Sequence, residues 1–208
     1  MQVARVVTDE ELLVGYARGD QHALTELIRR YQKELYAFLA RFICDGPAAE
    51  DLFQETFIQV HRNAASFDAA RRFRPWLFTI AANKARDYLR ASTRHQTRSL
   101  DSAIGHAEES PALIDLMDSG MAPPPGQLSR AEDVAAVRKV LAELPGHYRE
   151  VLVMSYFHGF AYKEMADMLG IPLGTVKSRL HSALAAFARG FKEREIHGAI
   201  EHTKGAGQ

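Results

Sequence analysis

Tyr162-Lys163-Glu164-Met165-Ala166-Asp167-Met168-Leu169-Gly170-Ile171-Pro172-Leu173-Gly174-Thr175-Val176-Lys177-Ser178-Arg179-Leu180 carries two helical periods on either side of a turn. Met165, Ala166 and Leu169 fall on one face of the first helix, and Ala166 is small enough for a second helix to cross closely. Gly170 admits the positive φ that ends a helix, and Ile171 plugs the turn. Val176, Leu180 and Leu184, four apart, form the inward stripe of the second helix. That leaves Thr175, Lys177, Ser178, Arg179, His181 and Ser182 on its outer face. Pro172 to Lys192 holds four basic residues and no acidic one. A cationic, hydroxyl-bearing helix face fits the major groove of duplex DNA. The alternative is a helical hairpin with a solvated basic face, and His181 taken alone reads as a surface residue.

Upstream, helical period runs through Val134, Val137, Leu141 and Leu144, breaks at Pro145-Gly146, and resumes at Tyr148, Val151, Leu152 and Tyr156. Downstream, the recognition helix is expected to end near Phe187. Residues 193–208 read as a polar tail interrupted by glycines. Residues 131–192 thus form a small helical domain. Residues 96–130 lose the apolar period and contain Pro123-Pro124-Pro125-Gly126, which reads as a flexible linker.

Residues 1–95 form a second helical domain. Thr8 and Glu11 have the spacing of a capping box ahead of Leu12-Leu13-Val14. Gly19-Asp20 ends that helix and caps the next. Leu24, Leu27, Ile28, Tyr31, Leu35, Phe38, Leu39 and Phe42 mark a long amphipathic helix. Gly46-Pro47 begins a third, with Leu52, Phe53, Thr56, Phe57 and Val60 as its apolar stripe. Phe67 to Arg74 reads as a loop, and Pro75 suits the first turn of a fourth helix reaching about Arg90. The fold class is all-α: two small helical domains, the second with a helix-turn-helix.

Formal net charge is zero, from 26 basic and 26 acidic residues, but the charges are segregated. Asp45 to His61 carries four acidic residues and no Lys or Arg, whereas Arg62 to Arg94 carries eight basic against two acidic. The first segment repels nucleic acid and suits a basic protein partner; the second attracts an anionic strand. It also holds Phe67, Phe73, Trp76, Phe78 and Tyr88. Cations interleaved with aromatics suit unpaired DNA, whose bases stack while its phosphates are neutralised. Core packing explains Trp76 and Phe78 at least as well. Phe67 and Phe73, flanking the loop, are the better candidates for a base pocket.

The single cysteine, Cys44, fits a reducing compartment and reads as a small hydrophobe. No signal peptide or membrane-length apolar run is visible, so a cytoplasmic location and no membrane insertion are expected. No H-x-x-x-H pair with a third ligand, C-x-x-C, phosphate loop or G-x-S-x-G occurs. No metal, cofactor or catalytic residue is expected, and an enzyme is disfavoured. An operator-binding regulator is the other competing reading. Such a protein would dimerise on a palindrome, and the charge split and aromatic-basic loop suit it less.

Asp51-Leu52-Phe53-Gln54-Glu55-Thr56-Phe57, followed by Phe73-Arg74-Pro75-Trp76-Leu77-Phe78-Thr79-Ile80-Ala81-Ala82-Asn83-Lys84-Ala85-Arg86-Asp87-Tyr88-Leu89-Arg90, resembles the second conserved domain of extracytoplasmic-function sigma factors. Leu144-Pro145-Gly146-His147-Tyr148-Arg149-Glu150-Val151 with the helix-turn-helix resembles the fourth domain of the same family. The resemblance implies a factor that binds core RNA polymerase, directs promoter-specific initiation and assists strand opening. It implies that Asp51, Gln54, Glu55 and Phe57 bind the polymerase clamp helices. Capture of the single-stranded −10 element then falls to Phe67, Arg71, Arg72, Phe73, Arg74, Thr79, Asn83, Arg86, Asp87 and Arg90. The duplex −35 element is read by the helix face of Thr175, Lys177, Ser178, Arg179, His181 and Ser182. An anti-sigma protein is the implied regulatory partner.

Two departures from the family pattern have physical consequences. Ala161 stands where Ser or Thr often caps the first helix of the motif, a loss of about 1 kcal/mol. Ser182-Ala183-Leu184-Ala185-Ala186 follows the recognition stretch where the family tends to have Arg or Lys. Fewer phosphate contacts mean weaker duplex binding and a shallower salt dependence. The 35-residue linker reaches about 115 Å fully extended and averages about 33 Å as a coil. Two duplex turns span about 70 Å, so both domains engage such sites only with the linker drawn out.

Overall fold

The computed structural model describes residues 7–99 and 131–205. The expected linker therefore lies outside the described residues from residue 100 onward. Among the described residues the chain divides into two compact units, one of residues 7–40 and 45–99 and the other of residues 41–44 and 131–205, and no strand occurs among them.

The first unit is built on α1 (Asp9–Ala17), α2 (Gln21–Ile43, as far as Ala40), α3 (Gly46–Asn63) and α4 (Phe73–Ser99), with a 3-10 turn at Ala64–Ser66. The capping box holds: the Glu11 N–H donates to Thr8 Oγ1 at 3.2 Å, and the Thr8 N–H donates to Glu11 Oε2 at 3.0 Å. Gly19 takes a φ of +108° between α1 and α2, and the Asp20 carboxylate accepts from the His22 N–H at the start of α2. Asp45 caps α3, accepting from the Ala48 N–H at 3.1 Å. The inward stripe of α2 includes Leu27, Tyr31, Leu35, Phe38 and Leu39, all buried. Opposite them lie Phe73, Leu77, Phe78, Ala81, Ala82 and Ala85 of α4, also buried. Phe38 meets Phe78 edge-on at 5.2 Å between ring centroids. Edge-on pairing of this kind adds to the stabilisation from burial alone.

In the second unit, α5 (Ala131–Glu143) and α6 (Gly146–Leu152) flank Pro145, and α6 ends in a wide π-type turn over Val153–Phe157. Gly159, with φ +63°, closes that turn. Val151 and Leu152 are buried as expected, whereas Tyr156 is exposed. The turn between α7 (Tyr162–Leu169) and α8 (Leu173–Gly205) pivots on Gly170, whose φ is +64°. Met165, Met168 and Leu169 face Val176, Leu180 and Ala183 in the core, and Leu184 is only half-buried.

Two helix ends differ from expectation. Helix α4 continues past Arg90 to Ser99, and α8 continues past Phe187 to Gly205, so the backbone is helical where a polar tail was expected. Apolar period does not report helix propensity, and Ala91, Arg94, Glu193, Arg194 and Glu195 are all strong helix formers. Helix α8 is also tied to α5 by an Arg194–Glu143 ion pair. At Gly190 the two helices approach so closely that an added Cβ would lie 3.1 Å from Val140 Cγ1.

Candidate nucleic-acid interface

Helix α3 separates its two faces at helical spacing. Leu52, Thr56, Phe57 and Val60 are buried, and the Thr56 hydroxyl donates to the Leu52 carbonyl at 2.7 Å. Glu50, Asp51, Gln54 and Glu55 are exposed. Phe57 was expected on the partner-binding face; it is 6% exposed and packs edge-on with Phe53 at 5.2 Å. Its spacing from Leu52 and Val60 turns it inward, so it supports the acidic face from beneath. The apolar residue that does face outward is Ile58, 49% exposed, three and four positions from Glu55 and Gln54. Asp45, counted among the acidic residues of this segment, is occupied elsewhere: besides capping α3 it accepts the Tyr88 hydroxyl at 2.8 Å. Burial and the Asp45 carboxylate push the Tyr88 phenol above its usual range. Tyr88 thus braces α4 against the start of α3.

The loop before α4 and the first turns of that helix divide the expected strand-binding residues into three groups. Phe73 is fully buried, its ring meeting Tyr31 edge-on at 5.4 Å and Phe67 at 6.3 Å. It is a core residue and not part of a base pocket, because the helix begins at Phe73 itself and turns its side chain inward. Phe67 is half-buried and lies 4.8 Å from the Trp76 ring. The two rings form a partly open aromatic platform. Arg71 and Arg72 are exposed on the loop, with Arg71 4.0 Å from Asp68. Arg74 is more enclosed, donating to Glu34 of α2 from both Nε and Nη2 and lying over the Phe78 ring at 5.3 Å. It anchors α4 to α2.

Along α4, Thr79, Asn83, Arg86, Asp87 and Arg90 recur at three and four residues and share a strip. Thr79 is half-buried, and its hydroxyl donates to the Pro75 carbonyl at 2.7 Å. Arg86 donates to the Asn83 side-chain carbonyl and Arg90 to Asp87 at 3.0 Å. Lys84 points the other way, donating to Glu55 of α3 at 2.8 Å. The acidic and basic segments are therefore joined by an ion pair where they meet.

In α8, Lys177, Ser178 and His181 are exposed, while Thr175, Arg179 and Ser182 are half-buried. The Thr175 carbonyl accepts the Ser178 hydroxyl at 3.1 Å. Ser178, Arg179 and Ser182 line an open groove with His147 and Tyr148 of α6. The two α6 rings lie 4.3 Å apart. The sequence places Tyr148 on the apolar period of its helix and both residues in the stretch that resembles the fourth domain, but sets neither beside Ser178, Arg179 and Ser182. Leu173, at the first turn of α8, is 42% exposed. Ala161 has no side-chain oxygen to cap α7, and only the reciprocal half of a capping box is present: Glu164 Oε2 accepts the Ala161 N–H at 3.0 Å. Arg149, also unassigned from sequence, is buried and donates to the Leu141 and Ala142 carbonyls at the end of α5. Among the described residues no group of three or more His, Cys, Asp or Glu could hold a metal ion. No helix among them is long and apolar enough to cross a membrane.

Segregated charge thus marks the first helical unit, and a helix-turn-helix the second. Residues 27–95 match the family described as Sigma-70 region 2, and residues 135–187 match Sigma-70, region 4. The RNA polymerase sigma-H factor of Pseudomonas aeruginosa is 32% identical over 86% of this chain and 91% of its own length. The ECF RNA polymerase sigma factor SigW of Bacillus subtilis is 30% identical over 85% and 92%. The sigma factor RpoE of Bartonella quintana, solved in complex with the anti-sigma factor NepR, superposes with a TM-score of 0.63 at 25% identity, covering 81% of this chain and 96% of that one. The chain belongs to the extracytoplasmic-function family of RNA polymerase sigma factors. It directs core RNA polymerase to promoters.

Proposed function

We propose a division of labour among three surfaces. Asp51, Gln54 and Glu55 dock on the clamp helices of core polymerase, with Ile58 supplying an apolar contact at the C-terminal edge of the acidic face. The observation that carries this is the outward presentation of those four side chains while every other large apolar residue of the α3 stripe turns inward. An apolar side chain beside a charged rim is the kind of contact that anchors a protein interface once buried.

Phe67 with Trp76 forms the stacking platform for an unpaired base of the −10 element. Arg71, Arg72, Arg86 and Arg90 neutralise its phosphates, and Thr79, Asn83 and Asp87 line the same strip. Arg74 holds the helix in place through Glu34 and contributes field more than contact. Lys177, Ser178, Arg179 and His181 read the −35 duplex, flanked by Thr175 and Ser182. The chain works in the cytoplasm and performs no chemical step of its own. Each flipped base costs a few kcal/mol, and binding shared with the polymerase supplies that energy. The NepR complex of the Bartonella quintana relative supports an anti-sigma protein as the regulatory partner, covering the polymerase-binding face.

The test separates the surfaces. Asp51→Asn with Glu55→Gln is expected to abolish association with core polymerase and leave single-strand binding intact. Arg71→Ala with Arg72→Ala is expected to do the reverse. Loss of both activities in either variant, or of neither, contradicts the assignment.

A further inference from the structure

Helix α1 lies outside the stretch matched to Sigma-70 region 2, which starts at residue 27. Its acidic first turn nevertheless does three different things. Glu11 closes the capping box with Thr8. Asp9 reaches α2, accepting from Arg30 Nη1 at 2.7 Å and from the Tyr31 hydroxyl at 2.5 Å. Glu10 reaches α4: its Oε1 accepts the backbone N–H of Phe73 at 2.8 Å, from 63 residues away in the chain.

Phe73 is the first residue of α4, so its N–H is one of those a helix cannot satisfy internally. Caps normally come from the residue just before the helix. Arg72 occupies that place and has no side-chain oxygen to offer. The carboxylate of Glu10 takes over that service and complements the positive end of the helix dipole. A second route leads from α1 to the same point. Tyr31, held by Asp9, packs edge-on against Phe73, and Phe73 in turn meets Phe67. The point where loop becomes helix, and with it the placement of Phe67, Arg71 and Arg72, is set from α1.

We infer that Glu10 is a positioning residue for capture of unpaired DNA, fixing the start of α4 and thereby the loop that presents Phe67, Arg71 and Arg72. The inference rests on the reading of that loop as the strand-binding site. It makes a prediction whose sign is opposite to that of simple electrostatics. Removing an anion beside a cationic strand site should by charge alone strengthen strand binding; loss of a positioning cap should weaken it.

The experiment uses the full chain and a fluorescent single-stranded oligonucleotide, enriched from a random pool on the wild-type chain bound to core polymerase. Glu10→Ala is expected to weaken strand binding about five- to tenfold, as loss of a helix cap implies. Glu10→Gln keeps an acceptor oxygen without the charge and should fall between Glu10→Ala and wild type. Core polymerase association should be unchanged in both. Trp76 fluorescence melting selects a temperature at which all variants are folded, so a purely structural effect would leave strand binding at wild-type strength. That result, or tighter binding, with Arg72→Ala still weakening capture, overturns the role of Glu10 and leaves the loop assignment standing. If Arg71→Ala and Arg72→Ala also bind like wild type, both fall together.

Discussion

Phe73 and Phe67 sit 6.3 Å apart by ring centroid, yet their truncation should have opposite consequences. Phe73 is fully buried and surrounded by Tyr31, Phe67 and Trp76. Phe73→Ala removes a complete core ring and leaves a cavity, a loss of about 3–5 kcal/mol. At roughly 4–8 °C per kcal/mol for a domain near this size, the unit should melt at least about 12 °C lower. Phe67 is half-buried with one main aromatic neighbour, so Phe67→Ala should cost only about 0.5–1.5 kcal/mol. A base stack is worth about 1–3 kcal/mol, so Phe67→Ala should reduce strand binding about tenfold or more. The protein supplies its own probe. The single tryptophan, Trp76, lies 4.8 Å from Phe67 and 5.9 Å from Phe73. Urea and thermal titrations followed by its fluorescence report on this unit and not on the other. The reasoning is refuted if Phe73→Ala melts like wild type while losing strand binding, or if Phe67→Ala destabilises as much as Phe73→Ala.

Gly170→Ala should destabilise the second unit by about 1–2 kcal/mol, because φ is +64° and nothing lies within 4 Å of the added Cβ; far-UV circular dichroism melting measures it. Ala161→Ser restores the missing helix cap and should stabilise that unit by about 1 kcal/mol in the same assay. Hydrogen bonds from Arg29 and Arg30 lower the Glu26 carboxyl to about 2. Because the folded-state value is depressed, the contribution is present above the ordinary carboxylate range and disappears as pH falls toward about 2. Glu26→Gln should therefore be less stable than wild type above the ordinary carboxylate range and converge with it as pH falls toward about 2; a stability difference that persists undiminished at the acidic end would contradict it.

Most of the architecture was legible because it rests on local rules. Thr8 with Glu11, Gly19-Asp20 and Gly170 act within a few residues of themselves, and each behaves in the structure as its chemistry dictates. The stripes of α2 and α3 were also readable from spacing. Phe57 illustrates the limit of analogy: its own periodicity placed it in the apolar stripe, and resemblance to a family motif moved it to a binding face it does not occupy. Phe73 was misplaced because the start of α4 was set two residues late, and a one-residue step along a helix rotates a side chain by about 100°. The remaining site features come from pairings that separation in sequence conceals. Glu10 with Phe73, Glu34 with Arg74 and Glu55 with Lys84 are 63, 40 and 29 residues apart. Nothing in the local pattern says which carboxylate meets which donor. The His147–Tyr148 wall of the groove beside Ser178, Arg179 and Ser182 is hidden for the same reason, since its partners lie on α8.

The whole account requires that this chain lend promoter selectivity to an enzyme that lacks it. Run-off transcription by core RNA polymerase on genomic fragments from the same cell should yield discrete start sites only when the chain is added. Those start sites should disappear with Asp51→Asn and Glu55→Gln together. Unselective transcription unchanged by the chain, or tight specific binding to duplex fragments without polymerase, would show a self-sufficient operator-binding protein in its place.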